Sequence, residues 1–288
     1  MIARTAMAAR GRALQDALAG NWPLIGSGLV IFLVVISALG ADWIAGHDPT
    51  RMDARARLAG PSLAHLFGTD QFGRDVLARV IHGGRTSLEV ALTAVSIAVV
   101  VGALIGILTG LYGGWVDAVT TRLMDVLIAF PALLLALFLV AVLGADLRNL
   151  IIAISLTRVP YFARLVRAEV AALAARPFIT AARTMGATQA WIIRRHIVPN
   201  IVPLLIIFGT TDIAAAIIAE SALSYLGLGA QPPTPSWGRM LTESRGFIGQ
   251  APWLAVFPGL FIMVTVIAFN LLGDGLRDVL DPRLKGSR

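Results

Sequence analysis

TAARTMGATQAWIIRRHIVPN, residues Thr180 to Asn200, interrupts a chain that is otherwise mostly apolar, and its reading decides the fold. It gathers Arg183, Arg194, Arg195 and His196 around a central Gly186, with long apolar runs on both sides. Pro177, just upstream, suits the first position of a helix, where a missing N–H costs nothing. The run from Pro177 to Met185 is helix-friendly, Ala181 and Ala182 are small enough for close contact, and Gly186 accepts the left-handed backbone that ends a helix. Thr188 then caps a second predicted helix, Gln189 to Val198, which sets Trp191, Ile192 and Ile193 beside the basic residues. Pro199 opens the next apolar run. The spacing predicts two short helices and a tight turn, tied at both ends to membrane spans.

Such a unit admits two readings. Interfacial helices resting on lipid headgroups account for the Trp and Arg residues. A docking element for a cytoplasmic partner accounts for a rigid lever joined to two spans.

Composition sets the frame. Of 288 residues, 57% are hydrophobic and 14% charged, where soluble chains carry about 25% charge. The apolar excess collects in runs of about 20 residues, the length that crosses a bilayer. A multi-pass, all-α membrane protein is the class that fits. Cysteine is absent, which excludes disulfides and thiolate metal sites. The net charge of +7 rests on 24 Lys and Arg residues, of which only Lys285 is lysine. With no Arg run interleaved with aromatics, that charge reads as membrane topology rather than nucleic-acid binding. Lys285 stands outside the G-x-x-x-x-G-K-[ST] pattern of a phosphate-cradling loop. The chain therefore has no ATP site of that kind, and no cofactor of its own is expected.

Six spans are predicted: Leu24 to Ala45, Ser87 to Leu111, Leu123 to Leu143 with Pro131 inside, Asn149 towards Ala175, Ile201 to Leu228, and Trp253 to Leu272. A polar stretch, Gly46 to Thr86, follows the first span, and a Pro-rich loop, GAQPPTPSWGRM, precedes the last. The chain divides into residues 1–86, holding the tail, first span and polar loop, and 87–288, a core of five spans with the insert at 177–199. Gly102, Gly106 and Gly110 recur every four residues, so they share a helix face that admits another helix closely. Six spans put both termini on one side. Arg4, Arg10, Arg12, Arg164, Arg167, Arg176 and the tail with Arg283, Lys285 and Arg288 fall on the side of the insert. A smaller basic set, mostly in the Gly46–Thr86 loop, falls opposite, so both termini and the insert are expected in the cytoplasm.

On these residues a resemblance rests. Ala181 and Ala182, Gly186 four residues on, and Pro199 after RRHIV resemble the EAA motif of permease subunits in ATP-binding-cassette (ABC) importers, with Thr180 where the motif has Glu. HLFGTDQFGRDVLARVIHGGRTSLEVAL (65–92), AESALSYLGLGAQPPTPSWGRML (219–241) and LGDGLRDVLDPRL (272–284) are similar to segments of the dipeptide/oligopeptide/nickel permease family, in the same order. The resemblance implies a type I ABC importer permease fold in a bacterial inner membrane. It implies docking on an ATPase subunit through Ala181, Ala182, Gly186, Ala187, Arg195, His196 and Pro199. The partners it implies are one or two ATPase subunits carrying ATP and Mg, a homologous second permease and an extracytoplasmic substrate-binding protein. The solutes it implies are dipeptides, oligopeptides, glutathione-like peptides or nickel chelates.

Asp212 and Glu220 lie inside the fifth span, where carboxylates are costly and face the bundle interior. They line the path and meet a peptide's ammonium group or a cation, or they form internal hydrogen bonds. Arg158, beside Pro160, lines the same path or snorkels to the interface. Asp70, Arg74 and Asp75 order their loop by salt bridges or contact the binding protein. His47, His65, His82 and His196 are scattered without H-E-x-x-H spacing, so no metal site is expected. Asn270 and Asp274 read as a polar helix end. An ion-gradient transporter using Asp212 and Glu220 is the alternative function, although matching repeats with broken helices are not seen. An intramembrane hydrolase lacks a histidine base within any predicted span.

Overall fold

A computed structural model describes residues 22–280, and every regular element in it is helical. The basic residues expected in the two tails (Arg4, Arg10, Arg12, Arg283, Lys285 and Arg288) lie outside the described residues. In chain order the helices are α1 (Trp22–Leu39), α2 (Ala41–Ile44), α3 (Val76–Tyr112), α4 (Gly114–Ala129), α5 (Ala132–Leu143), α6 (Leu147–Ala174), α7 (Pro177–Thr184), α8 (Gln189–Ile192), α9 (Val198–Tyr225), α10 (Trp237–Ser244) and α11 (Trp253–Leu280). A π-helical turn, Ile193–Ile197, joins α8 to α9 without a break. Five helical segments are long and apolar enough to cross a membrane, the fourth running from Gln189 to Tyr225, and α4 with α5 make a sixth if the pair counts as one.

Two expected boundaries move. The second span begins eleven residues early, at Val76 rather than Ser87, so the 86/87 division falls inside a continuous helix. Asp75 starts it: its side chain accepts the Ala78 N–H at 2.7 Å, an N-cap that satisfies one of the free donors of the first turn. The third predicted span is two helices bent by 91°. Proline disfavours helical backbone in the residue before it, and Phe130, preceding Pro131, is extended (φ −91°, ψ 139°). The bent pair is tied to α6 by Asp117–Arg167 and Asp125–Arg164 ion pairs. The Pro-rich loop also holds helix α10, capped by Ser236, whose Oγ accepts the Arg239 N–H.

The bundle closes along the glycine face. A Cβ on Gly102 would lie 2.6 Å from Phe162 Cβ, on Gly106 2.7 Å from Ala163 O and Val166 Cβ, and on Gly110 2.9 Å from Arg167 O and Val170 Cβ. Helices α3 and α6 thus touch backbone to backbone over two turns, as small-residue faces allow in a bilayer, where lipid tails offer no hydrophobic drive for helix pairing. Gly106→Leu is expected to prise this contact apart, at a cost of about 3 kcal/mol or more. A lower melting temperature and less monodisperse protein in detergent would show it; wild-type values would contradict the packing role. Helix α1 lies at the edge against α11, turning Leu29, Phe32 and Leu33 outward, as a lipid-facing helix does.

Candidate functional site

The insert takes the helix–turn–helix form in its first half. Pro177 occupies the first turn of α7. At its end Met185 N–H donates to Ala181 O, Gly186 N–H to Arg183 O, and Ala187 N–H to Ala182 O, closing the helix with Gly186 in the left-handed region (φ +84°). Thr188 Oγ1 then accepts the Trp191 N–H. The second arm differs from expectation. Instead of ending near Val198, it passes through the π turn into α9, so Pro199 sits in the first turns of a span and breaks nothing. From Gln189 to Tyr225 the chain is one helical rod, about 55 Å long at 1.5 Å per residue.

Sidedness within the insert separates the two alanines. Ala182 is buried with Ile179, Ile192, Ile197 and Ile201 against Val166, Val170 and Leu173 of α6 and Ile107 of α3. It belongs to the clamp that fixes the insert to the bundle, which corrects its expected place on the docking surface. Ala181, Thr180, Arg183 and Gly186 are exposed, Ala187 is half-buried, and Met185 projects with 81% of its surface free. His196 is held between aromatic rings, with centroid distances of 5.5 Å to Phe178 and 5.0 Å to Trp191. Arg195 lines an open concavity of about 440 Å³ with Thr188, Ala190, Trp191 and Arg194. The exposed face is therefore apolar at Phe178 and Met185 and basic at Arg183, Arg194 and Arg195.

Within the membrane-length region, Arg158 of α6 and Asp212 of α9 form an ion pair at 3.0 Å. Asp212 is 8% exposed, and its Oδ2 and the Arg158 Nε have no partner within the described residues. The pair lines a concavity of about 240 Å³ with Thr157, Tyr161, Phe208 and Thr211. Thr157 and Tyr161 also border a larger hollow of about 670 Å³ at the α4–α5 bend, lined by Phe130 and Pro131. Two of the three expected path residues, Arg158 and Asp212, thus face one opening.

Glu220 does not. It is completely buried, accepting from Ser224 Oγ at 2.7 Å and Ser221 Oγ at 3.3 Å. Both of these hydrogen bonds lie within α9, so its carboxyl is met inside its own helix and not at an opening. Asn270 donates to Val266 O in its own helix, and because α11 runs on to Leu280, Asn270 and Asp274 lie inside the helix and not at the polar end expected of them.

At the end of the bundle opposite the insert, Asp70 and Arg74 form the expected loop-ordering pair (2.6 Å), enlarged by two residues that sequence reading missed. Arg74 and Arg79 both donate to Glu243 Oε2 of α10, at 2.9 and 2.8 Å. Trp237 packs beside them, its Nε1 donating to Val80 O at 2.9 Å. Asp75 caps α3 and also receives His65 Nδ1 at 2.8 Å. Nearby, the exposed Asp48 carboxyl is held below the usual carboxylate range by the Thr50 hydroxyl and N–H.

The chain is similar in sequence to known proteins and in fold to a solved structure. Residues 102–286 match the model of the family described as binding-protein-dependent transport system inner membrane component. Over 257 residues the chain is 44% identical to the dipeptide transport system permease protein DppC of Alkalihalophilus pseudofirmus, covering 89% of this chain and 84% of that protein. It is 48% identical over 259 residues to the glutathione transport system permease protein GsiD of Escherichia coli O1:K1, covering 90% and 86%. Among solved structures, a chain of the MetNI methionine ABC transporter in inward-facing conformations superposes with a TM-score of 0.56 at 19% identity, over 69% of this chain and 95% of that one, a likeness of fold. With the apolar helices already described, these relationships place a multi-pass permease subunit in an inner membrane. The chain belongs to the family of binding-protein-dependent transport system inner membrane components.

Proposed function

We propose that this chain is half of the translocation unit of an ATP-driven importer for short peptides of dipeptide or glutathione size. It pairs with a homologous permease, receives solute from an extracytoplasmic binding protein, and is driven by cytoplasmic ATPase subunits that carry ATP and Mg. Both termini and the insert face the cytoplasm. The substrate class is supported by the dipeptide and glutathione permeases it resembles at 44% and 48% identity.

The observation that carries the reading is the form of the insert. Helix α7 is clamped against the rod that continues as α9, and α9 bears Asp212 at the in-membrane concavity. A push on the exposed face of α7 therefore tilts α9 as a lever instead of being absorbed in a loop. The ion-gradient alternative loses its basis in the same geometry, because Asp212 is bound to Arg158 and Glu220 is enclosed by serines.

Reconstituting the chain with a homologous permease, ATPase subunits and a binding protein from the same organism tests the proposal. ATP inside proteoliposome-equivalent cytoplasmic space should drive uptake of a labelled dipeptide or glutathione. Uptake that proceeds without ATP and collapses with an uncoupler would overturn it.

A further inference from the structure

Two of the four histidines, eighteen positions apart, meet at the start of α3. His65 Nδ1 lies 2.8 Å from Asp75 Oδ2 and His47 Nδ1 lies 3.9 Å from the same oxygen. The rings are 5.2 Å apart between centroids, and one donor atom from each of the three residues lies within 4.8 Å of the others. Spacing had given no sign of this, because the three residues come from separate segments: the turn after α2, the following loop and the helix cap.

The carboxylate is already oriented. Asp75 Oδ1 is engaged by the Ala78 N–H, so Oδ2 is left facing the two imidazoles. A carboxylate anchored by a backbone donor is the kind of supported ligand that metal sites use. Around it opens a concavity of about 240 Å³, bordered also by Asp48, Arg51 and Asp53. His65 is mostly covered and Asp75 is buried, while half of the His47 side chain is exposed and free to swing.

We propose that His47, His65 and Asp75 form a binding site for one divalent transition-metal ion of the Zn²⁺ class. Ligands about 2.0–2.1 Å from a tetrahedral ion stand about 3.3 Å from one another, and the 2.8 and 3.9 Å separations bracket that spacing. Imidazole nitrogens with a single carboxylate oxygen suit Zn²⁺, Cu²⁺ or Ni²⁺ over Mg²⁺ or Ca²⁺, which prefer all-oxygen shells. Three protein ligands leave a fourth position open to the concavity, so the site exchanges its ion instead of sealing it. Binding replaces the His65–Asp75 hydrogen bond by two metal bonds and recruits His47. The ion then staples the segment after the first span to the first turn of the second.

The test uses the full chain, purified in detergent and stripped with a chelator, titrated with Zn²⁺ against a chromophoric competitor. Wild type should bind one equivalent tightly and melt at a higher temperature with Zn²⁺ present. His47→Ala, which removes a half-exposed side chain and leaves the Asp75 cap intact, should weaken that equivalent by more than about ten-fold and abolish the thermal shift. His65→Gln should do the same while keeping an amide to bond Asp75, and His82→Gln should bind as wild type does. Absence of a tight equivalent in wild type, or one that His47→Ala leaves unchanged, would overturn the proposal and leave His65–Asp75 as a hydrogen bond of the loop.

Discussion

Gly186→Pro is expected to reduce ATP-driven uptake to below about a tenth of the wild-type rate while the chain still folds and inserts. Proline holds φ near −65°, whereas this position has φ +84°. The substitution also removes the N–H that donates to Arg183 O. The turn must then reopen, and α7 can no longer stay both clamped on α6 and aligned with the rod through α9. The damage remains local, because a side chain at 186 would meet nothing within 4 Å and the main core lies among α3, α6 and α9. Gly186→Asn supplies the control: asparagine tolerates the left-handed backbone, so uptake should stay within about two-fold, since the strain is of order 1 kcal/mol. The two variants are compared in reconstituted transporter by dipeptide uptake and by solute-stimulated ATP hydrolysis. If Gly186→Pro transports normally, the insert is not the route by which the ATPase moves the pathway.

The geometry of that turn was legible because its rules are local: proline at a helix start, glycine at a helix end and threonine at a cap act within a few residues. The glycine face of α3 was legible for the same reason, since a four-residue spacing fixes a helix face without knowledge of the partner. What escaped depends on distant residues. Residues 76–86 looked like a polar loop because they contain Arg79, His82 and Arg85. Those charges are met by Glu243, 164 positions from Arg79, and by Asp42 on the segment after the first span. Helix α10 was masked by the three prolines before it, although Ser236 followed by Trp237 carried a capping signal. The inward turn of Ala182 was readable and missed: it follows Ile179 by three residues, so the two share the apolar side of α7. The meeting of His47, His65 and Asp75 left no trace in spacing, because only folding brings those segments together.

The Arg158–Asp212 pair separates a structural from a transport role. Arg158→Ala leaves a carboxylate in a membrane-embedded site with 8% exposure and no counter-charge. Removing one partner of a buried pair costs about 3–5 kcal/mol, so a lower melting temperature and a lower yield of folded protein are expected. Replacing both partners with apolar side chains, Arg158→Met with Asp212→Leu, removes the stranded charge. Stability should recover to wild type or above, as it does where buried ion pairs are exchanged for packed apolar groups. Transport gives the opposite result. The pair faces the concavity shared with Thr157, Tyr161 and the hollow at the α4–α5 bend, and Asp212 Oδ2 and Arg158 Nε keep unused hydrogen-bonding capacity towards it. A peptide carries both an ammonium and a carboxylate, so an apolar wall at this point offers neither end a partner as water is lost. The double variant should therefore be stable, assemble with its partners and hydrolyse ATP, yet import a dipeptide at least about ten-fold more slowly, the effect of raising the transport barrier by about 1.4 kcal/mol. A stable double variant with wild-type uptake would reduce the pair to a structural tie between α6 and α9.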